Sequence, residues 1–250
     1  MFNAINSLKI KRMNIALIGY GRMGHEIEEI ALKRGHKIPL IIDIGNSSDL
    51  NPEKLKGIDA AIEFSSPEAA LKNISMCLNA EVSVVSGTTG WLKDYDHAVE
   101  LCMKNSTSFI HSSNFSIGVN LLFRLSSELA KHMNNYSDYR VGIEEIHHTK
   151  KLDAPSGTAI TLAGGISKQH DRYDGWCFEN ERTDGRIPIR AIREGMVPGT
   201  HTVTWDSEID TLILKHEARN RKGFALGAVV AAEFIRNRKG VFTMTDVLGL

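Results

Sequence analysis

The segment Glu144-Glu145-Ile146-His147-His148-Thr149-Lys150-Lys151 runs directly into Leu152-Asp153-Ala154-Pro155-Ser156-Gly157-Thr158-Ala159. Two histidines and two lysines thus fall within residues 147–151, immediately ahead of a Pro-Ser-Gly-Thr run. Few structural needs call for that combination. On an extended strand two adjacent histidines point to opposite faces, so His147 and His148 cannot share one role. Ser156 ahead of an apolar-periodic run is a helix N-cap signal, and Pro is tolerated there. The segment therefore predicts a strand end, a short basic loop and a helix N-terminus. Ammonium groups and unpaired backbone N–H groups at Ser156, Gly157 and Thr158 then converge on one spot, which suits an anion such as a carboxylate. The histidines add groups that exchange protons near neutral pH. The competing reading is a solvated basic loop leading into an ordinary helix.

A second chemical signal lies near the front. Asn14 to Ile18 is a short apolar run, and Gly19-Tyr20-Gly21-Arg22-Met23-Gly24 follows it, ahead of a helical stretch from His25 to Lys33. The spacing is G-x-G-x-x-G between a predicted strand and a predicted helix, the arrangement that cradles a dinucleotide pyrophosphate. A second predicted strand, Lys37 to Ile44, carries Asp43 near its end. Asp43 lies about 20 residues beyond Gly24, the offset of the acid that binds a ribose diol.

The elements needed to hold these groups can be read in order. Asp59 to Ser65, Val82 to Val85 and Ser108 to His111 read as further strands. Pro67 opens one helix and Tyr95 to Lys104 forms another. Such alternation predicts a parallel, doubly wound sheet of the Rossmann type, which binds ligands beyond the carboxyl ends of its strands. Polar turns fall at those ends: Gly87-Thr88-Thr89, and Ser112-Ser113-Asn114-Phe115. From residue 117 the texture changes. A long amphipathic helix (118–134), a strand (139–146), the basic loop and a helix (156–170) come first. A loop follows over 171–185, then three closely spaced strand-like runs, 187–192, 201–205 and 212–215, whose spacing predicts antiparallel neighbours. The apolar helix 224–236 returns to the texture of the first half. The expected organisation is a dinucleotide-binding domain, 1–116 plus 225–250, with an inserted α+β substrate-binding and oligomerisation domain, 117–224.

Composition narrows the function classes. The chain has 250 residues, 42% apolar and 24% charged, with a formal net charge of zero. That predicts a packed globular enzyme and gives no support to bulk nucleic-acid or membrane binding. Three scattered cysteines without a C-x-x-C pair suggest reduced thiols in a cytoplasmic setting. No apolar run approaches the roughly 18 residues of a membrane span. Lys9, Lys11 and Arg12 read as a solvated tail, and Met13 as an alternative start. No Cys/His ligand spacing indicates a metal, and His111 and His216 read as core or interface groups.

These motifs together resemble the 4-hydroxy-tetrahydrodipicolinate (dihydrodipicolinate) reductase family. The resemblance spans Asn14 to Leu250. It rests on Gly19 to Gly24, Gly87 to Gly90, Ser113 to Asn120, Glu145 through His147-His148 to Lys151, Asp153 to Ala159, Gly227-Ala228 and the tail Asp246 to Leu250. It implies hydride transfer from NADH or NADPH to a cyclic imine dicarboxylate. His147 falls on the family's acid/base histidine and Lys151 on its proton-donor lysine. His148, Gly157 and Thr158 fall on substrate contacts, and Gly87, Thr89 and the Ser112 to Phe115 turn on the nicotinamide side. It also implies a homotetramer. One departure concerns the cofactor: many members follow the ribose acid with arginine, whereas Asp43 here is followed by Ile44, Gly45 and Asn46. The expectation is that NADH is preferred and NADPH tolerated. Rival functions are another nicotinamide-dependent dehydrogenase, such as an aspartate or homoserine dehydrogenase, and a non-catalytic NAD-responsive protein. The 147–158 segment argues against both.

Overall fold

The computed structural model describes residues 11–250. It separates into two compact units, one holding the described residues up to Ser116 with Lys222–Gly249, the other Ile117–Arg221. Lys9 of the basic tail lies outside the described residues.

The first unit is a six-stranded parallel sheet. Its strands are β1 (Asn14–Ile18), β2 (Lys37–Ile42), β3 (Ala60–Glu63), β4 (Ser83–Ser86), β5 (Ser108–His111) and β11 (Gly240–Phe242), in the order β11-β5-β4-β3-β1-β2. The period-2 alternation of β1 explains why helices are needed on both faces. Ile15 and Leu17 pack with α1 (Arg22–Lys33) and α6 (Lys222–Ile235). Ala16 and Ile18 pack on the other face with α2 (Pro67–Asn79) and α3 (Tyr95–Lys104). Two features escaped the sequence reading: β11, and the short α7 (Met244–Leu248), which Thr243 and Asp246 start with a capping box. A third departure matters for the site. β2 stops at Ile42, and Asp43 opens a 3-10 turn over Ile44–Asp49 instead of ending the strand. The Asn46 side chain causes this, accepting from the Asp43 N–H (2.7 Å) and donating to the Ile41 carbonyl (2.9 Å).

The second unit is a five-stranded mixed sheet in the order β10-β9-β6-β8-β7. The strands are β6 (Arg140–His147), β7 (Trp176–Phe178), β8 (Ile187–Arg193), β9 (Thr200–Asp206) and β10 (Thr211–Glu217). The predicted loop over 171–185 in fact contains β7 and a 3-10 turn, Glu179–Glu181. The predicted antiparallel run is also redrawn. β8 and β9 are not neighbours, because β6 lies between them, parallel to β8 and antiparallel to β9. Only β9 and β10 form an antiparallel pair of consecutive strands. Helices α4 (Ile117–Met133) and α5 (Gly157–Ser167) cover one face, burying Val141, Ile143, Val203 and Trp205. Leu214 pairs with Val203 and belongs to that same face. Ile213, 59% exposed, sits on the uncovered face with Thr204 and Gly142. That face also presents Arg140, Glu144 and Arg190 around a concavity. The largest buried apolar side chains thus lie on the covered face, while the other mixes Ile146, Pro188, Ile192 and Ile213 with polar and charged residues.

Candidate active site

In the first unit the glycine loop sits at the carboxyl end of β1. Gly19 has φ of +90°, and a Cβ there would lie 2.0 Å from the Phe64 carbonyl oxygen, so only glycine fits. Gly24 packs against the Gly19 carbonyl, where a Cβ would come within 2.5 Å. Gly21 differs: nothing lies within 4 Å of a Cβ placed on it. It is also the N-cap of α1 and brings no capping side chain. The first-turn N–H groups are therefore left for an outside acceptor, and the open space beside them suits a pyrophosphate. Two cavities adjoin the loop. One, of about 450 Å³, is lined by Gly21, Arg22 and Met23 together with Phe64, Ser65, Gly87, Thr88 and Thr89. The other, of about 500 Å³, is lined by Gly19, Tyr20, Gly21, Asp43, Ile44, Lys72 and Asn73, among others. These residues fit a nicotinamide dinucleotide. Asp43 is exposed in the second cavity, where a ribose diol would meet it.

The Ser112 to Phe115 turn follows β5 and lines neither cavity. It is internally braced: the Ser112 hydroxyl donates to the Asn114 carbonyl (2.8 Å) and accepts from the Asn114 N–H (3.2 Å). Ser113 is exposed, whereas Phe115 is buried and rules out a side chain on Gly227, whose Cβ would fall 1.7 Å from the Phe115 carbonyl oxygen.

The second cavity reveals Lys72, a cation close in the fold but distant in sequence from Asp43. Behind Ser65 and Thr88 of the first lies a further residue, Glu63, at the end of β3. Its buried carboxylate accepts from the Ser65 N–H (2.9 Å), the Ser86 hydroxyl (2.7 Å) and the Thr88 hydroxyl (2.8 Å). The Thr88 carbonyl in turn accepts from Trp91 Nε1 (2.8 Å) and lies 3.0 Å from His111 Nε2. Burial lowers His111 from its ordinary value, opposed by the Thr88 carbonyl and by Glu63. The loop after β4 is thus pinned from below by one carboxylate.

In the second unit the β6 alternation decides what the histidines do. Val141, Ile143, Glu145 and His147 all point to the covered face. His147 is 7% exposed and Glu145 is fully buried. His148 follows the strand, half-buried, with its N–H donating to the Val197 carbonyl at 2.9 Å. The two histidines diverge, as their adjacency requires. Strand register then supplies neighbours that no linear motif contains. His201 on β9 stands opposite Glu145, and Arg193 on β8 stands beside His147. Arg193 Nη2 donates to Glu145 Oε1 at 3.0 Å. The Ser156 N–H donates to both carboxylate oxygens, at 2.9 and 3.1 Å. Ser156 caps α5, its hydroxyl accepting from the Ala159 N–H at 3.2 Å. Gly157 is exposed and Thr158 half-buried on the first turn, where N–H groups and the helix dipole favour an anion. Lys151 reaches Asp153 through a bidentate ion pair, 2.8 and 2.9 Å, on the loop between.

The electrostatics differ from the expectation of a histidine poised near neutrality. Burial pushes His147 down to about 4, reinforced by His201, Lys151 and Arg193 and opposed by Glu145. In this state its imidazole is neutral at pH 7, and the positive charge near it comes from Arg193 and Lys151. Burial alone would raise Glu145, but His201, the Ser156 hydrogen bonds and Arg193 outweigh it and hold the carboxyl at about 2.

Glu145, His147 and His201 bring one ligand atom each within 4.8 Å of one another, a grouping that linear ligand spacing does not reveal. The Arg193 guanidinium and the Ser156 N–H already occupy the carboxylate, and a fixed positive charge there opposes a metal cation. Among the described residues no helix is long and apolar enough to cross a membrane.

Comparison with known proteins agrees with both halves of this geometry. The model of the dihydrodipicolinate reductase N-terminus matches residues 13–115, and that of the dihydrodipicolinate reductase C-terminus matches residues 118–248. A curated relative named 4-hydroxy-tetrahydrodipicolinate reductase, from Christiangramia forsetii, is 54% identical over 237 residues, covering 94% of this chain and 98% of that one. Another of the same name, from Thermosipho africanus, is 34% identical with the same coverage. Among solved structures, the dipicolinate-bound dihydrodipicolinate reductase from Paenisporosarcina sp. TG-14 superimposes with a TM-score of 0.79 at 24% identity, covering 94% of this chain and 99% of that one, and so shares the fold. With both halves of the family's architecture matched across 13–248, the chain belongs to the dihydrodipicolinate reductase family.

Proposed function

We propose that this chain reduces 4-hydroxy-tetrahydrodipicolinate to tetrahydrodipicolinate with a reduced nicotinamide dinucleotide, as the names of its relatives describe for them. The reaction consumes one hydride and one proton and releases water. The observation that carries the reading is the buried His147 imidazole followed by a basic loop, with Lys151 paired to Asp153, that leads into the Ser156-capped helix start. Bound NADH or NADPH supplies the hydride. The first unit's part is to hold the pyrophosphate at Gly21 and the start of α1, with the Gly87 to Thr89 loop and the Ser112 to Phe115 turn on the nicotinamide side. In the second unit the α5 N-terminus, with Gly157 and Thr158, and His148 bind the substrate carboxylates. Lys151 donates the proton and stabilises charge that develops as hydride arrives. His147, neutral in the free state, takes up a proton more readily when a dianion binds beside it, since a nearby negative charge favours the charged imidazole. The test is NADH absorbance on addition of synthase-generated substrate. Turnover is expected with that substrate alone, and equal turnover with aspartate semialdehyde or oxaloacetate would overturn the reading.

The cofactor preference follows from Asp43. A free ribose diol donates to its carboxylate, whereas a 2′-phosphate meets like charge. Lys72 in the same cavity offers the phosphate partial compensation, so NADH is preferred and NADPH accepted. Asp43→Ala should weaken NADH binding and narrow the gap, read by fluorescence titration of both cofactors. Tenfold tighter NADPH binding by the wild type would refute this. The assembly we propose is a homotetramer, built by the inserted unit through its uncovered sheet face.

A further inference from the structure

We propose that Glu145 is a positioning residue for the reduction: its carboxylate fixes the ring orientation and tautomer of His147 while holding the start of α5 that receives the substrate. The inference rests on the function proposed above. The family resemblance carries Glu145 as a motif position and assigns it no task. Three observations define one.

First, the carboxylate is fully buried yet richly partnered, by Arg193 Nη2 at 3.0 Å and by the Ser156 N–H at 2.9 and 3.1 Å. These two partners satisfy its charge and lock strand β8 and helix α5 onto β6. Oε2, which takes the longer Ser156 bond, also faces the imidazoles, 3.5 Å from His147 Nδ1 and 3.7 Å from His201 Nε2.

Second, His147 Nδ1 is buried and makes no hydrogen bond among the described residues. At 3.5 Å the contact with Oε2 is longer than a formed hydrogen bond. Contacts of this kind in ligand-free enzymes tighten when substrate binds. A carboxylate can only accept, so a hydrogen bond between the two puts the proton on Nδ1.

Third, the other ring nitrogen lies against a glycine. A Cβ on Gly199 would fall 3.1 Å from His147 Nε2, and Gly199 has φ of +153°. The His201 ring meets the His147 ring edge-on at 5.0 Å between centroids and limits its tilt. The His147 carbonyl is held by the Glu194 N–H at 2.7 Å. The result is an imidazole with Nδ1–H toward Glu145 and the Nε2 lone pair toward Gly199. The charged and titratable groups around it are Glu145 on its own strand, His201 on β9, Arg193 on β8 and Lys151 on the following loop.

A purely structural glutamate would need only the Arg193 and Ser156 partners. Glu145→Gln separates the two roles, because its amide oxygen still accepts from the Ser156 N–H while its NH₂ now donates toward Nδ1. The experiment uses the full chain labelled with ¹⁵N-histidine, with the His147 signals assigned by their loss in His147→Gln. In the wild type at pH 7–8, Nδ1 should give a protonated, pyrrole-type shift and Nε2 an unprotonated one. In Glu145→Gln the pattern should reverse, with kcat lower by roughly 10²-fold, at the low end of the loss for a misplaced acid–base group. NADH affinity should be unchanged, and Glu145→Asp should recover part of kcat. A wild-type His147 protonated at Nε2 overturns the proposal, and this measurement needs no variant to fold. A folded Glu145→Gln enzyme with wild-type turnover and tautomer overturns it as well. A wild type that binds NADH but fails to turn over the substrate would refute the proposed function, leaving the tautomer measurement to judge Glu145 separately.

Discussion

At His147 two physical demands meet. In the proposed function the ring exchanges a proton with a bound dianion, yet burial, reinforced by His201, Lys151 and Arg193, holds it neutral. In that proposal the charge comes instead from Lys151, paired with Asp153 on the following loop. The two roles separate under substitution. His147→Gln should lower kcat by about 10²–10⁴-fold, and Lys151→Ala should lower it as well, through lost charge stabilisation. Thr158→Val keeps the backbone amides of α5 and should mainly raise the substrate KM. A His147→Gln enzyme with full turnover across neutral pH would remove the acid–base reading. The same burial makes stability depend on pH. His147 is lowered from about 6.5 to about 4 in the fold, and Glu145 from about 4.5 to about 2. The unfolded chain therefore binds protons first as pH falls. The contribution of His147 is complete above pH 6.5 and lost on the way down to about 4, and that of Glu145 fades between 4.5 and about 2. Urea midpoints should fall from pH 7 to pH 4. His147→Gln should flatten that slope only in part, because burial lowers His111, His170 and His216 in the same direction. An identical slope in the variant would contradict the assignment.

At the level of elements, each site is a strand end meeting a helix start. β1 hands the chain through Gly19 to α1, and β6 hands it through the basic loop to α5. The difference lies in the caps. Gly21 leaves the start of α1 without a capping side chain, whereas Ser156 caps α5 and is itself fastened by Glu145. The turn after β5 depends on α6 in a similar way, because Gly227 lets that helix lie directly against the Phe115 carbonyl. Gly227→Ala should force the two apart and cost about 2–3 kcal/mol. Thermal unfolding should then drop by roughly 5 °C or more. A melting temperature within a degree of wild type would show that α6 can shift at no cost.

For the whole molecule, the uncovered face of the second sheet is the feature that composition did not foretell. Val203 and Trp205 of β9 and Leu214 of β10 gather under α4 and α5, and the outer face mixes Ile146, Pro188, Ile192 and Ile213 with threonine, arginine and glutamate side chains. A partner on that face would meet a mixed surface, so its contacts should combine ion pairs and hydrogen bonds with an apolar centre. A tetramer should appear by sedimentation at micromolar concentration and weaken as salt rises. A monomer under those conditions would refute the assembly.

The sequence by itself determined what is local. G-x-G-x-x-G between a strand and a helix, Ser156 before an apolar run, and the exact bounds of Tyr95–Lys104 and Ser108–His111 all depend on neighbours along the chain. Only the tertiary structure decided what depends on register. Strand pairing set His201 opposite Glu145 and Arg193 beside His147, and it placed β6 between β8 and β9. Sheet order brought Ser65, Ser86 and Thr88 onto the Glu63 carboxylate, and helix α2 carried Lys72 to the cavity of Asp43. The motif named the imidazole, but burial and the charges gathered around it set its protonation state. Burial and the approach of distant charges are properties of the packed chain, and no spacing along the sequence encodes them.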